Sequence, residues 1–162
     1  AVSSLNPIFI RPAESDTTDW ASVLALVLKA FAYMKGQIDP PSSANRLTQD
    51  DMAAQAASGV VLLAEDDTGL VGCVFLTPKA DVMYIGKLAV DPSRQGEGIG
   101  RRLFEACVAA AKAQKFAEIE LQARVELIEN HTAFIALGFR ETGRTAHDGY
   151  NRPTSVTMRC RL

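Results

Sequence analysis

Residues 90–103 read VDPSRQGEGIGRRL, and this stretch decides how the rest of the chain is understood. Gly96, Gly98 and Gly100 stand within five residues of one another, flanked by Arg94, Arg101 and Arg102. Before them VMYIGKLAV (82–90) is a β-rich run, and beyond them Ile99, Leu103, Cys107 and Ala110 share one helix face. A strand therefore passes through a bare turn into a helix. That arrangement gathers free backbone N–H groups and a positive helix end at one point, which suits an anion, phosphate above all. A plain tight turn explains three glycines poorly, because each costs about 1 kcal/mol of helix propensity.

The neighbouring segments can be placed outward from that turn. PIFIR (7–11) predicts a short strand, and ESDTTDW (14–20) offers helix caps to an apolar series at Trp20, Val23, Leu24, Val27, Leu28 and Phe31. The paired prolines of GQIDPPSSANR (36–46) predict a loop, and Thr48–Ala57 a second helix ended by Gly59. GVVLLAEDDTGLVGCVFLTP (59–78) reads as two strands turning at Asp67-Thr68-Gly69. AEIELQA (117–123) alternates Ile119 and Leu121 with polar residues, as a half-buried strand does. Residues 129–137 predict a short helix stopped by Gly138, and Phe139 onward and SVTMRCRL (155–162) two last strands. The expectation is one α+β domain over residues 1–162, with a core from about residue 8 and a mostly sequential sheet.

Composition narrows the function. With 162 residues and a net charge of −2, the chain has the size of one domain and no bulk attraction for nucleic acid or an anionic membrane. Cys73, Cys107 and Cys160 are odd in number and widely spaced, which argues against a disulfide framework or a zinc site and for small buried hydrophobes. No apolar run reaches the roughly 18 residues of a membrane span, and AVSSLNPIFIRPA (1–13) lacks the charged start and apolar stretch of a leader. The expected setting is a reducing cytoplasm, with no metal.

Three phosphate-binding patterns compete for the glycine stretch. A Walker loop needs Lys-Ser/Thr after its last glycine, where this chain has Arg101-Arg102. A dinucleotide fingerprint needs G-x-G-x-x-G, and its third glycine falls on Arg101 or Leu103; Glu118 and Glu120 stand near the distance of a ribose-binding acid, yet such a loop normally follows a first strand. The third pattern, Gln/Arg-x-x-Gly-x-Gly/Ala, is met by Gln95, Gly98 and Gly100. With the preceding LAVDPSR (88–94), the segment NHTAFIALGF (130–139) and the order β-α-α-β-β-β-α-β-α-β-β, it resembles the GNAT family of N-acetyltransferases from about Ile8 to Leu162.

That resemblance implies a GNAT-type acyl-CoA N-acyltransferase fold: a mixed, mostly antiparallel sheet of about six to seven strands flanked by helices, with strands four and five splayed. It implies acetyl-CoA as cosubstrate, its pantetheine arm lying along Leu88, Ala89 and Val90. The pyrophosphate is then wrapped by Gln95, Gly96, Glu97, Gly98, Ile99, Gly100 and Arg101. Asn130 matches a position that bonds the pantetheine arm, with a helix N-cap as its alternative reading. Phe134 occupies the position where many relatives carry a tyrosine acid, and is expected to line the CoA channel by packing. The implied reaction is direct attack of a primary amine, of a small molecule or peptide, on the thioester, with a strand-four N–H stabilising the oxyanion.

No base stands out. Tyr84 occupies the place of a strand-four glutamate found in some relatives; Lys87 interrupts the apolar strand; His131, His147 and Tyr150 carry no motif. Residues 33–51, with Asp39, Asp50, Asp51, Lys35 and Arg46, are expected to shape the acceptor pocket. Two other classes compete with the enzyme: an acyl-CoA-binding regulatory module that has lost the chemistry, and a nucleotide-binding oxidoreductase. Homodimerisation is common in the family, and an exposed final strand is the surface expected to pair with a partner's.

Overall fold

A computed structural model describes residues 7–162; the first six residues of the stretch inspected for a leader lie outside the described residues. The chain runs β1 (Phe9–Pro12), α1 (Trp20–Phe31), α2 (Gln49–Ser58), β2 (Val60–Asp66), β3 (Gly69–Pro78), β4 (Met83–Val90), α3 (Ile99–Ala113), β5 (Glu118–Arg124), α4 (Ile128–Ala136), β6 (Arg140–Thr145) and β7 (Ser155–Arg161), with short 3₁₀ turns at Ala32–Met34, Ser43–Arg46 and Pro92–Arg94. The predicted order is observed in full.

Local chemistry places the early helices. Asp19 caps α1 by accepting from the Ser22 amide at 3.2 Å, and Trp20 Nε1 donates to the Ser15 carbonyl. The buried face of α1 is Trp20, Val23, Leu26, Val27 and Ala30. Leu26 and Ala30 thus point inward, while Leu28, predicted inside, is 40% exposed. The sheet beneath sets the rotation of the helix, and spacing alone does not. Thr48 and Asp51 form a reciprocal capping box at the start of α2. Gly59 does end α2, but its φ of −141° is not left-handed. It is needed for space: a Cβ there would lie 2.4 Å from the Leu76 carbonyl oxygen.

Seven strands form one sheet in the order β1-β2-β3-β4-β5-β7-β6. Both faces of its first half are covered. Leu62, Val74, Leu76, Met83 and Ile85 pack under α3, while Val61, Leu63, Cys73 and Phe75 pack under α1 and α2. That is why β2 and β3 read as continuous apolar runs and β5, with Ile119, Leu121 and Ala123 buried, alternates. The order is sequential as far as β5, after which β7 enters between β5 and β6. The final strand is therefore interior, contrary to expectation. The edges are β1 and β6, and every residue of β6 is exposed.

The β4–β5 junction matters most. These strands are the parallel pair, and their register covers only Met83–Ile85 against Ile119–Leu121. Beyond that point β4 stays with β3 and β5 stays with β7, so the two part. The departure coincides with a bulge in β4: Phe75 faces Lys87 and Leu76 faces Ile85, leaving Gly86 as the extra residue. A bulge bends its strand and strengthens its twist, which turns the rest of β4 away from β5.

Candidate functional site

The gap between the parting strands opens into a cleft of about 620 Å³. Its floor is the second half of β4, with one rim from α4 and the other from the segment after α1. On the side of β4 that has lost β5, backbone groups have no strand partner, and burying them demands a ligand that can hydrogen-bond like a strand.

The glycine turn closes one end. Gly96 and Gly98 have φ values of +85° and +81°, left-handed conformations that only glycine enters readily. Gly100 has an ordinary helical backbone and lines the cleft, so a side chain there would occupy ligand space. Arg102 is the first amide of α3 with an intrahelical partner, at 3.0 Å from the Gly98 carbonyl. The amides of Ile99, Gly100 and Arg101 are left free at the positive end of a 15-residue helix.

Of the expected donor-site residues, Leu88, Ala89, Val90, Gln95, Gly100, Arg101, Asn130 and Phe134 line the cleft. Ile99 turns its side chain into the core, 1% exposed, and reaches the turn only through its amide. Glu97 bonds Arg94 Nε at 2.9 Å. Arg94 in turn stands 2.7 Å from Asp66, whose side chain is fully buried. Arg94 is thus the anchor of the loop to β2 and is spent there; of the arginines flanking the glycines, Arg101 lines the cleft.

Helix α4 forms the far rim, and none of its residues is buried. Asn130, Ala133, Phe134 and Ala136 face the cleft, with Phe134 edge-on to Phe139 at 5.8 Å between centroids. The N-cap of α4 is Leu127, so Asn130 is not a cap. Its Nδ2 instead donates to the Tyr33 hydroxyl at 3.0 Å, joining the two rims. Sequence reading placed residues 33–51 near the acceptor but missed this bridge, because nothing local links positions 97 residues apart.

The candidate bases are scattered. Tyr84 lies before the strands part, with Lys79 Nζ 3.9 Å above its ring, and is outside the cleft lining. Burial first, then Glu120, pushes its phenol up, which keeps it protonated and a poor base at neutral pH. His131 bonds the Arg124 carbonyl at 2.7 Å, and His147 bonds Thr154. Tyr150 donates to Asp39, which also pairs with Arg152 at 3.4 Å, so the β6–β7 loop pins the segment after α1. Arg124 pins the same segment by donating to the Pro40 and Pro41 carbonyls at 2.6 and 3.1 Å. Among the described residues the cleft is lined by Lys87, Arg101 and Arg124, and by no Asp, Glu or His. No described group of three acidic, histidine or cysteine side chains could hold a metal, and no described helix is long and apolar enough to cross a membrane.

The dinucleotide-oxidoreductase reading fails on topology, since the glycine turn follows the fourth strand of a mostly antiparallel sheet. No curated protein matches the chain in sequence. Solved structures match it in fold. The PaiA N-acetyltransferase of Thermoplasma acidophilum, solved in complex with coenzyme A, superimposes with a TM-score of 0.79 at 15% identity, over 96% of this chain and 99% of that one. The ribosomal-protein-S18-alanine N-acetyltransferase of Escherichia coli gives 0.74 at 18% identity, over 96% and 94%. A GNAT family acetyltransferase of Elizabethkingia anophelis with acetyl-CoA bound gives 0.68 at 20% identity, over 96% and 98%. The sequence profile of the acetyltransferase (GNAT) family matches residues 20–139, and with that match over most of its length the chain belongs to the GNAT family.

Proposed function

We propose that this protein transfers an acetyl group from acetyl-CoA to a primary amine of a small molecule or peptide. The observation that carries the reading is the parting of β4 from β5 after Ile85 and Leu121, in a cleft whose other end is a turn of unpaired amides. An elongated ligand with amide groups along its arm and phosphates at its tail fits both features at once. The unpaired edge of β4 at Leu88–Val90 takes the arm as an added strand. The amides of residues 95–101, the dipole of α3 and Arg101 take the pyrophosphate. Asn130 and Phe134 hold the arm from the α4 side, Asn130 by hydrogen bonding and Phe134 by packing.

Bound acetyl-CoA supplies the acyl group; the chain orients it and shields it. A β4 amide facing the parting point stabilises negative charge on the thioester oxygen as the amine attacks. Phe134 cannot donate a proton, and none is demanded of it, because a thiol pKa near 8.5 already makes thiolate a fair leaving group. With no Asp, Glu or His lining the cleft, the amine enters unprotonated or loses its proton to water. The three cysteines are free and buried, as suits a reducing compartment.

Calorimetric titration with acetyl-CoA, with CoA and NAD as controls, tests the reading. One-to-one binding of both CoA forms, lost in Gly98→Glu, is expected; binding of NAD alone would overturn it. The lack of an Asp, Glu or His in the cleft lining favours one competitor, an acyl-CoA-binding module without turnover. Acetylation of an amine panel above spontaneous thioester hydrolysis excludes it.

A further inference from the structure

Lys87 is a cleft residue that the proposed transfer leaves without a task. It follows the Gly86 bulge and stands two residues beyond the last β4–β5 pair, at Ile85 and Leu121. Its register partner on β3 is Phe75, part of the cluster under α1 and α2, so its side chain rises on the acceptor side of the sheet, where opposite residues share a face. It is half-buried. Burial lowers its pKa, and only Cys73 and Asp51 act on it, through space; no hydrogen bond among the described residues engages the ammonium.

A partly desolvated cation without a partner is costly, and an anion delivered by a ligand removes that cost. Of the other cations of the cleft, Arg124 is committed to two carbonyls, and Arg101 stands at the glycine turn, where the proposed reading gives it the pyrophosphate. Of the nearby acids, Asp39 is committed to Tyr150 and Arg152 and Asp51 to the Thr48 amide in the α2 capping box. Glu126 accepts from the Asp39 amide at 3.1 Å through Oε2, while its buried Oε1 has no partner among the described residues and the residue stands outside the cleft lining. A second pocket of about 520 Å³ adjoins the cleft. It shares Phe31, Met34, Ile38 and Ser42 with the cleft and is otherwise lined mainly by apolar residues such as Leu28 and Ala44.

We infer that the acceptor is an amino carboxylate with an apolar side chain: Lys87 pairs with its single carboxylate, and the side pocket takes its apolar part. A purely cationic amine would meet three cations and no carboxylate in the cleft lining. This inference rests on the acetyltransferase reading, and the experiment separates the two.

The protein is first titrated with CoA, then the CoA complex is titrated with 4-methylpentanoate and with 4-methylpentanamide, which differ only in charge. The carboxylate is expected to bind about tenfold more tightly than the amide, roughly the value of one charge-assisted contact. Lys87→Met is expected to abolish that preference with CoA affinity unchanged, and Lys87→Arg to retain most of it. Equal binding of the two probes, binding of neither, or a preference that survives in Lys87→Met overturns the inference while leaving the CoA site standing. Failure of CoA itself to bind overturns the acetyltransferase reading beneath it. The wild-type comparison decides the matter even if a variant folds poorly.

Discussion

Helices α3 and α4 flank the same cleft, yet they are seated in opposite ways. The first buries Ile99, Leu103, Phe104, Cys107 and Ala111 against the sheet. The second has no fully buried residue: Phe134, and Leu137 just beyond the helix, are only partly buried at the edge of the core and are turned, with Ala133, to the cleft. Both carry apolar residues at helical spacing. The difference lies beneath them: α3 crosses strands that remain paired, whereas α4 follows β5 just where β5 has left β4. Apolar spacing marks a face that must be covered, and it does not say whether protein or ligand covers it.

The sharpest way to break this comparison is by truncation. Leu103→Ala, at a site with no exposure, is expected to cost about 2–5 kcal/mol in urea unfolding. Leu137→Ala should cost less than about 1.5 kcal/mol in the ligand-free protein, since a partly exposed site at the edge of the core forfeits less transfer energy and leaves no sealed cavity. Comparable losses at the two sites would make α4 core and not cleft wall.

At the turn that joins the two halves of the site, Gly98→Glu imposes a side chain on a φ of +81° and a negative charge beside the free amides to which the proposed function gives the pyrophosphate. Acetyl-CoA affinity is expected to fall at least about a hundredfold, near 2.7 kcal/mol. Retained affinity in a folded variant would remove the turn from the site.

The rate profile with pH sharpens the view of the cleft floor. With no acid or histidine lining it, kcat/KM should rise about tenfold per pH unit until the pKa of the acceptor amine itself. Burial holds Lys87 below the ordinary lysine value of 10.5, so on the alkaline side its charge is lost at lower pH than a surface lysine's. Cys73 on β3 and Asp51 on α2 face it and oppose that shift by favouring the charged form. Activity should therefore decline there, and Lys87→Arg should move the decline to higher pH. A rate already level across about pH 6–8 would reveal a base elsewhere.

The smallest effect belongs to the α4 rim. Phe134→Tyr should change kcat by less than about tenfold, the lower end of what a positioned acid contributes being near a hundredfold. A larger gain in steady-state turnover would show that an absent proton donor had limited the reaction.

Much of this was legible in the chain because it depends on neighbours in sequence. Asp67-Thr68-Gly69 turns a hairpin, Pro40-Pro41 excludes helix, and Gly96 and Gly98 adopt the backbone that β-carbons resist. Those constraints act within a few residues, and they sufficed for the element order, the family resemblance and the strand and turn residues that line one side of the cleft. What depends on partners far along the chain was not legible. The inward rotation of Leu26 and Ala30 in α1, the interior place of β7, the commitment of Arg94 to Asp66 and the Tyr33–Asn130 bridge each require knowing what packs opposite.

Tyr84 and Lys87 make the division plain. They lie three positions apart in one β-rich run, and composition cannot rank them. The run determined that both would stand on a strand leading to the glycine turn. Only the tertiary structure decided that Lys87 enters the cleft and Tyr84 stays outside it. That outcome depends on the Gly86 bulge and on where β5 stops pairing with β4, and register between strands is set by long-range packing that no local pattern encodes.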